Sequence, residues 1–373
     1  MTSRLRVIFS GMLAGDPHQG GATWAVLQYV LGLGRLGHDV WLIEPVPALR
    51  ADVVAYFRSV VAQFGLEERA ALLETGTRAT AGVPYDDLVA AARGADLLLN
   101  VSGMLDDDDL TGPVGLRAYL DLDPAFNQIW HVGYGIDMGF DRHERFVTVG
   151  LSVGEADCPI PTAGHAWMRT PQPVVRDSWP VTEPPASAPV TTIGNWRGYG
   201  SVEWEGAFYG QKAHSMRTLL ALAERAPVPF LLALAIHPEE TDDLEALAAH
   251  GWELADPRAV AGTPSDYARF IRASRAELGI AKSGYVASRS GWFSDRSVCY
   301  LASGRPVVAQ DTGFPRHLPT GSGLLAFEGV EDALAGLEAV EGDYEAHARA
   351  ARALAEEVFD SDVVLTRLLE ALA

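Results

Sequence analysis

The sequence predicts an α/β protein made of two doubly wound, Rossmann-like domains that face each other across a cleft. Three observations predict it. The chain has 373 residues, more than the roughly 250–300 at which a single hydrophobic core stops growing. Its opening reads as strand, glycine loop, helix and parallel strand, which is a βαβ unit. A proline-rich stretch without periodicity, Val181–Pro189 (VTEPPASAP), separates that pattern from a second one of the same kind.

Arg6–Phe9 is a β-branched and aromatic run, so a strand. It is too short for the apolar region of a secretory leader, and no segment approaches the ~20 apolar residues of a membrane span, so a cytoplasmic protein without an integral membrane segment is expected. The loop Ser10–Gly21 carries Gly11, Gly15, Gly20 and Gly21, and Ala22–Leu36 then has helical spacing. Asp39–Glu44 (DVWLIE) is the second strand. Ala51–Phe64 and Tyr85–Ala92 read as helices, and Asp96–Asn100, Arg117–Asp121 and Phe146–Val149 as strands. After the linker the strands are Val190–Gly194, Phe230–Ile236, Glu277–Ala281 and Pro306–Ala309. The helices are His214–Ala226, Thr241–His250, Ser265–Ala273 and Ser297–Ser303, and the tail Tyr344–Ala373 is strongly helical. The domains expected are 1–182 and 190–357, with 358–373 a C-terminal helix that crosses back to the first domain. Two such sheets place their carboxyl ends across a cleft, where ligands of doubly wound sheets bind.

Composition narrows the ligand. Apolar residues make up 48% of the chain, enough for two cores, and the formal net charge is −20. An acidic surface repels nucleic acid and anionic lipid, so neither is an expected partner, although a local basic pocket can still take a small anion. Cys158 and Cys299 are far apart and fit no metal-ligand spacing, so two reduced thiols are expected.

Three segments of the second half carry a family resemblance. They are Thr192–Arg197 (TIGNWR) with Gln211-Lys212 fifteen residues on, Leu301–Gln310 (LASGRPVVAQ), and the loop Asp311-Thr312-Gly313-Phe314-Pro315. They resemble the nucleotide-sugar domain of the GT-B glycosyltransferases, the group that includes glycogen synthases and bacterial mannosyltransferases. The first half, with its glycine loop and LGLGRLGHDVWLIEP, is similar to the usual opening of that group. The resemblance implies the GT-B fold and transfer of a sugar from a UDP-, GDP- or dTDP-sugar co-substrate to a small-molecule or glycan acceptor, with no cofactor or metal. It implies Arg197 and Lys212 on the donor diphosphate and the Asp311–Gly313 loop near the sugar and phosphates. The chain departs from the pattern of many retaining members, which carry two glutamates eight positions apart. Gly291 and Cys299 stand there instead.

The residues themselves add to this. Lysine and arginine total 29, yet only Lys212 and Lys282 are lysines. Lysine offers a compact charge with three rotatable donors, which the planar arginine fork does not reproduce. Lys212 stands at a predicted helix start, where backbone N–H groups favour an anion, and Lys282 at a strand's carboxyl end. Ser294 or Asp295 suits the N-cap of the next helix. Ser297 is placed to donate to phosphate, and Arg296 to pair with one or to be oriented by Asp295. Gly20 and Gly21 allow close backbone approach to a ligand. An inverting transfer needs a base, for which His18 has a suitable unperturbed pKa, with Asp16 as substitute. Asp121-Leu122-Asp123 is similar to the metal-holding aspartate pair of a different, single-domain glycosyltransferase architecture. That layout conflicts with two halves, and a structural or acceptor-side role beside Asn127, Gln128 and Trp130 is expected instead. Competing functions on the same scaffold are a sugar-nucleotide epimerase, a glycosyl phosphorylase and a non-catalytic sugar-binding protein. The lysine-poor, alanine- and arginine-rich composition points to a high-GC bacterium, where such enzymes decorate natural products or surface glycans.

Overall fold

The computed structural model describes residues 4–185 and 187–373. The first three residues of the expected N-terminal domain, and Ala186 in the linker, lie outside the described residues.

The first sheet has eight strands: β1 (Arg6–Ser10), β2 (Asp39–Val46), β3 (Ala70–Glu74), β4 (Thr80–Gly82), β5 (Leu97–Val101), β6 (Leu116–Asp121), β7 (Arg145–Thr148) and β8 (Trp167–Arg169). Their order is β4-β3-β2-β1-β5-β6-β7-β8, parallel throughout except for β3 against β4. Next come β9 (Val190–Asn195), a separate antiparallel hairpin of β10 (Val202–Trp204) and β11 (Ala207–Tyr209), then β12 (Phe230–Ala235), β13 (Glu253–Leu254), β14 (Ala276–Gly279), β15 (Val307–Gln310) and β16 (Leu324–Phe327). The second sheet runs β13-β12-β9-β14-β15-β16 and is all parallel.

The strand chemistry explains the layers. Val7, Ile8 and Phe9 are all fully buried, as expected of a parallel strand covered on both faces. Val7 and Phe9 enter one core and Ile8 enters another with Leu88 and Leu98, because successive side chains alternate across the sheet. Phe9 meets Tyr29 of the helix Gly20–Arg35 at 5.4 Å between ring centroids.

One core also joins the two halves. Trp24, on that helix, donates its indole N–H to Pro264 O at 2.9 Å and packs 4.9 Å from the fully buried Trp179. Gln28 reaches across with its amide N–H to Cys299 Sγ at 3.6 Å while its carbonyl accepts Val175 N–H at 2.6 Å. The C-terminal helix Ser361–Leu372 returns to the first half. A Cβ added at Gly32 would lie 2.6 Å from Leu365 Cδ1 and 2.9 Å from Ser361 Cβ, so a side chain there would collide with the seat of that helix.

Several elements differ from the sequence expectation. Ala70–Glu74 (AALLE) has helix-forming residues but is a strand, since four of its five residues are buried between neighbours and tertiary context outweighs propensity. Strands Thr80–Gly82 and Trp167–Arg169 were also not anticipated. The helix expected at His214–Ala226 is two short pieces, Lys212–Arg217 and Leu222–Arg225. The tail is helical as expected, in the pieces Tyr344–Leu354, Ala355–Phe359 and Ser361–Leu372, broken at Asp360. Asp360 leaves the helical conformation, caps the final helix by accepting Asp362 N–H at 3.0 Å, and pairs with Arg176 at 3.3 Å. The helix Gly20–Arg35 starts two residues earlier than expected, so Gly20 and Gly21 belong to its first turn and not to the loop.

Candidate active site

The carboxyl ends of β9, β14 and β15 bring three cations together. Lys212 opens the helix Lys212–Arg217 and is buried, its ammonium donating to Ile280 O just beyond β14. Arg296 lies in the first turn of the helix Asp295–Ala302. It is buried, its Nε donates to Glu277 and its Nη1 to Ile193 O at 2.9 Å. Both side chains converge on β9. A Cβ on Gly194 would lie 3.2 Å from Lys212 Cε, 3.7 Å from its Nζ and 3.8 Å from Arg296 Nη1. Gly194 therefore leaves space for two cationic side chains at the strand's end. Lys282 caps the following short helix and is the third member.

The carboxylates do not balance the cations. Glu277 is claimed by Arg296, and Asp123 by Lys282, whose Nζ lies 3.2 Å from both Asp123 oxygens. Lys212 forms no ion pair with a carboxylate among the described residues. Burial pushes its pKa well down and the nearby charge of Arg296 pushes it further; Glu277 opposes them, and Lys282 adds a smaller lowering effect. Burial also lowers the pKa of Lys282, with Asp123 opposing. For Arg296 burial acts against the charge, but Glu277 leads the effects that raise its pKa overall.

The Lys282 cluster spans the cleft. Asp123 follows β6 of the first sheet, whereas Lys282 follows β14 of the second. Tyr199 and Tyr285 both donate their hydroxyls to Asp123, and Lys282 Nζ sits 4.1 Å from the Tyr199 ring centroid. Tyr199 packs against Phe126 and Trp130 at 4.9 and 4.8 Å, so the aromatic residues of the 199–209 loop pack the domain junction. Trp204 lies against Gly133, where a Cβ would come within 2.8 Å of its ring. Asp121 is fully buried and accepts from Asn127 at 2.7 Å, Gln128 at 2.7 Å and Thr148 at 2.8 Å. Burial raises its pKa to about 6, with Gln128 and Thr148 opposing. Protein donors thus occupy the Asp121 and Asp123 oxygens, and among the described residues no group of three or more His, Cys, Asp or Glu side chains is placed to hold a metal ion.

The other residues singled out from sequence fall around this centre. Ser294 is the N-cap, its hydroxyl accepting Arg296 N–H at 3.2 Å, while Asp295 is the first helical residue and burial raises its pKa. Ser297 and Ser294 line a cavity of about 10 Å³ with Gln310 and Thr312, roughly room for one water. Asp311 accepts Gly313 N–H at 2.6 Å and faces Arg289 at 3.6 Å, and Thr312 donates to Trp292 O. Gly313 has φ +93°, and a Cβ there would sit 2.7 Å from Arg289 O, so this turn requires glycine. Arg197 is further out, exposed and paired with Glu240.

The loop after β1 faces β9 from the other side. Gln19 bridges Asp16 and Asn195, the latter at 3.4 Å. Asp16 and His18 are exposed. His18 has φ +67° and its ring lies 5.2 Å from that of Tyr56. Gly20 and Gly21 do permit a close backbone approach, but by the second half of the chain. A Cβ on Gly20 would lie 2.5 Å from Thr263 O and 2.6 Å from Ala261 O, and one on Gly21 2.9 Å from the Tyr267 ring. Gly20→Ala is expected to cost about 1–3 kcal/mol by forcing the helix off this seat. Chemical denaturation checks it, and unchanged stability would mean the contact is not closed in solution.

Sequence reasoning missed Glu277, Glu44, Tyr285 and the partnership of Asp123 with Lys282. A signal existed for the two glutamates, each a lone acid inside an otherwise apolar strand (VWLIEP and AELG). None existed for Asp123 and Lys282, which are 159 positions apart.

No family model and no curated protein matches the sequence. Solved structures do match its fold. HepE of Anabaena in complex with UDP and glucose has a TM-score of 0.62 at 14% identity, covering 99% of each chain. An alpha-glucosyltransferase in complex with UDP-glucose and DNA containing an abasic site has a TM-score of 0.63 at 12% identity, covering 99% of this chain and 100% of that one. A complex of alpha-glucosyltransferase with UDP and a 13-mer DNA containing an HMU base gives 0.62 at 10% identity, with the same coverage. With two largely parallel sheets facing a cleft and a C-terminal helix returning to the first half, this chain has the GT-B fold.

Proposed function

We propose that the protein is a glycosyltransferase that moves a sugar from a nucleoside diphosphate donor to a hydroxyl of a small-molecule or glycan acceptor, without a metal. The observation that carries this reading is Lys212, a buried ammonium with no carboxylate partner among the described residues, beside Arg296 and Lys282 at the carboxyl ends of the second sheet. A diphosphate supplies the missing negative charge. Arg296 Nη2, which has no hydrogen-bond partner among the described residues, is free to join it.

In the reaction the bond from the anomeric carbon to the β-phosphate oxygen breaks, and the acceptor oxygen bonds to that carbon. The leaving diphosphate gains charge where the three cations already stand, which is stabilisation without reorganisation. The acceptor proton passes to a base on the first-sheet side, for which Asp16 and His18 are the candidates. Ser294, Asp295, Ser297, Arg197 and the Asp311–Gly313 loop complete the donor side. The units are 1–182 for the acceptor, 190–357 for the donor, and 358–373 as the returning helix. Uracil is the favoured donor base, because the structures of the same fold hold UDP or UDP-glucose. Nucleic acid is disfavoured as acceptor by the net charge of −20. A bacterial cytoplasmic enzyme of natural-product or surface-glycan decoration fits the composition.

Thermal shift with UDP, GDP and dTDP tests the reading. Binding adds RT ln(1 + [L]/Kd), so UDP at about 100 times its Kd raises stability by about 2.7 kcal/mol. If none of the three nucleotides stabilises the protein, the reading fails.

A further inference from the structure

Glu44 is the one carboxylate in the middle of the VWLIEPV strand, and it is fully buried. It accepts the backbone N–H groups of Ala14 at 2.8 Å and Gly15 at 2.7 Å, and that of Leu13 also acts on it. These amides belong to the loop between β1 and the helix Gly20–Arg35, whose far end carries Asp16, His18 and Gln19 and meets Asn195. The loop is shaped around the carboxylate. A Cβ on Gly15 would lie 2.8 Å from Glu44 Oε1. On its other side the loop is pinned by Thr23, whose hydroxyl donates to Leu13 O at 2.8 Å and contacts Tyr56 OH at 2.9 Å.

We propose that Glu44 is a positioning residue, whose carboxylate gathers the Leu13–Gly15 amides and so fixes the loop that presents Asp16 and His18 to the cleft. This rests on the glycosyltransferase reading for its consequence in turnover, but not for the loop contact itself. A neutral glutamine keeps the size of this side chain but offers one uncharged acceptor oxygen in place of two charged ones, and charge-assisted hydrogen bonds are the stronger ones.

The arrangement is tuned near neutrality. Burial raises the Glu44 pKa to about 7, opposed by the three amides. The titratable groups on the elements around it are Tyr56, whose phenol burial holds up, Asp16 and His18 on the loop tip, and Glu74, which accepts Leu49 N–H at 3.0 Å. Among the described residues none of these is hydrogen-bonded to the Glu44 carboxylate. The ionised form, which grips the amides, is lost as pH falls through about 7.

Hydrogen–deuterium exchange of the 11–19 segment, corrected for intrinsic rate, tests this on the wild type and Glu44→Gln at about pH 6 and about pH 8. Wild-type protection of the Leu13–Gly15 amides should rise several-fold from the lower to the higher pH, whereas Glu44→Gln should show weaker protection that does not change with pH. In parallel, UDP release from UDP-glucose by Glu44→Gln should fall on the order of 10-fold in kcat/KM, with loss of the acid limb near neutrality. Equal protection of the two proteins at both pH values overturns the proposal. So does an exchange difference accompanied by an unaltered pH profile of UDP release. A wild type that releases no nucleoside diphosphate from UDP-glucose or from any other nucleotide sugar sinks the glycosyltransferase reading instead, and the exchange comparison still decides whether Glu44 holds the loop.

Discussion

Replacing Lys212 with alanine is expected to weaken UDP binding by two to three orders of magnitude while leaving thermal stability near wild type. The ammonium is buried at the carboxyl end of β9 with Ile280 O as its acceptor. Removing one member of a buried, hydrogen-bonded charge pair costs about 2–5 kcal/mol of binding, which sets the magnitude. In the empty protein the same charge is a burden, because burial and the neighbouring Arg296 and Lys282 all disfavour it, so its loss relieves the fold even as it leaves a gap. A sign follows for protons. The empty-site pKa of Lys212 lies well below the ordinary value and a bound diphosphate raises it. Between those two values UDP binding therefore takes up a proton, and affinity falls as pH rises through the window. Titration calorimetry in two buffers of different ionisation enthalpy reads this uptake. Lys212→Arg, which stays charged, should abolish it.

The second large effect is on stability. Arg296→Met is expected to destabilise the protein by about 3–5 kcal/mol, because it strands Glu277 as an unpaired charge in a fully buried strand. Glu277 is 0% exposed, and its Oε2 already lacks a hydrogen-bond partner among the described residues. The double variant Glu277→Met with Arg296→Met should recover most of the loss, since an apolar pair of similar volume needs no counter-charge. Denaturation of the two variants checks the order. A single variant as stable as the wild type would mean that the pair does not hold this site together.

The two variants separate two kinds of cation that the sequence alone could not distinguish. Lys212, Lys282, Arg197 and Arg296 read as one basic set by composition and motif. The structure assigns them different electrostatic settings. Arg296 is balanced by a buried glutamate, Lys282 by an aspartate from across the cleft, and Arg197 by Glu240 near the surface, while Lys212 has no carboxylate partner among the described residues. Partners 19 and 159 positions away decide this, and no local pattern encodes them. The parallel strands were legible because burial on both faces writes continuous apolar runs such as Val7–Phe9 and Leu97–Leu99. Ala70–Glu74 was not, because its residues favour helix and only its place beside β2 makes it a strand. Glycines were legible as close approaches but not for what approaches. Gly20 and Gly21 admit the backbone and tyrosine of the second half, so they set how the two halves meet.

The central claim is that the diphosphate of a nucleotide sugar lies between Lys212 and Arg296, at the end of β9. A crystal structure of the protein with UDP tests it most directly. The claim predicts phosphate oxygens about 2.7–3.2 Å from Lys212 Nζ and from the Arg296 guanidinium, with Gly194 beneath them. UDP seated elsewhere, with the Lys212 ammonium still donating to Ile280 O alone, would contradict it.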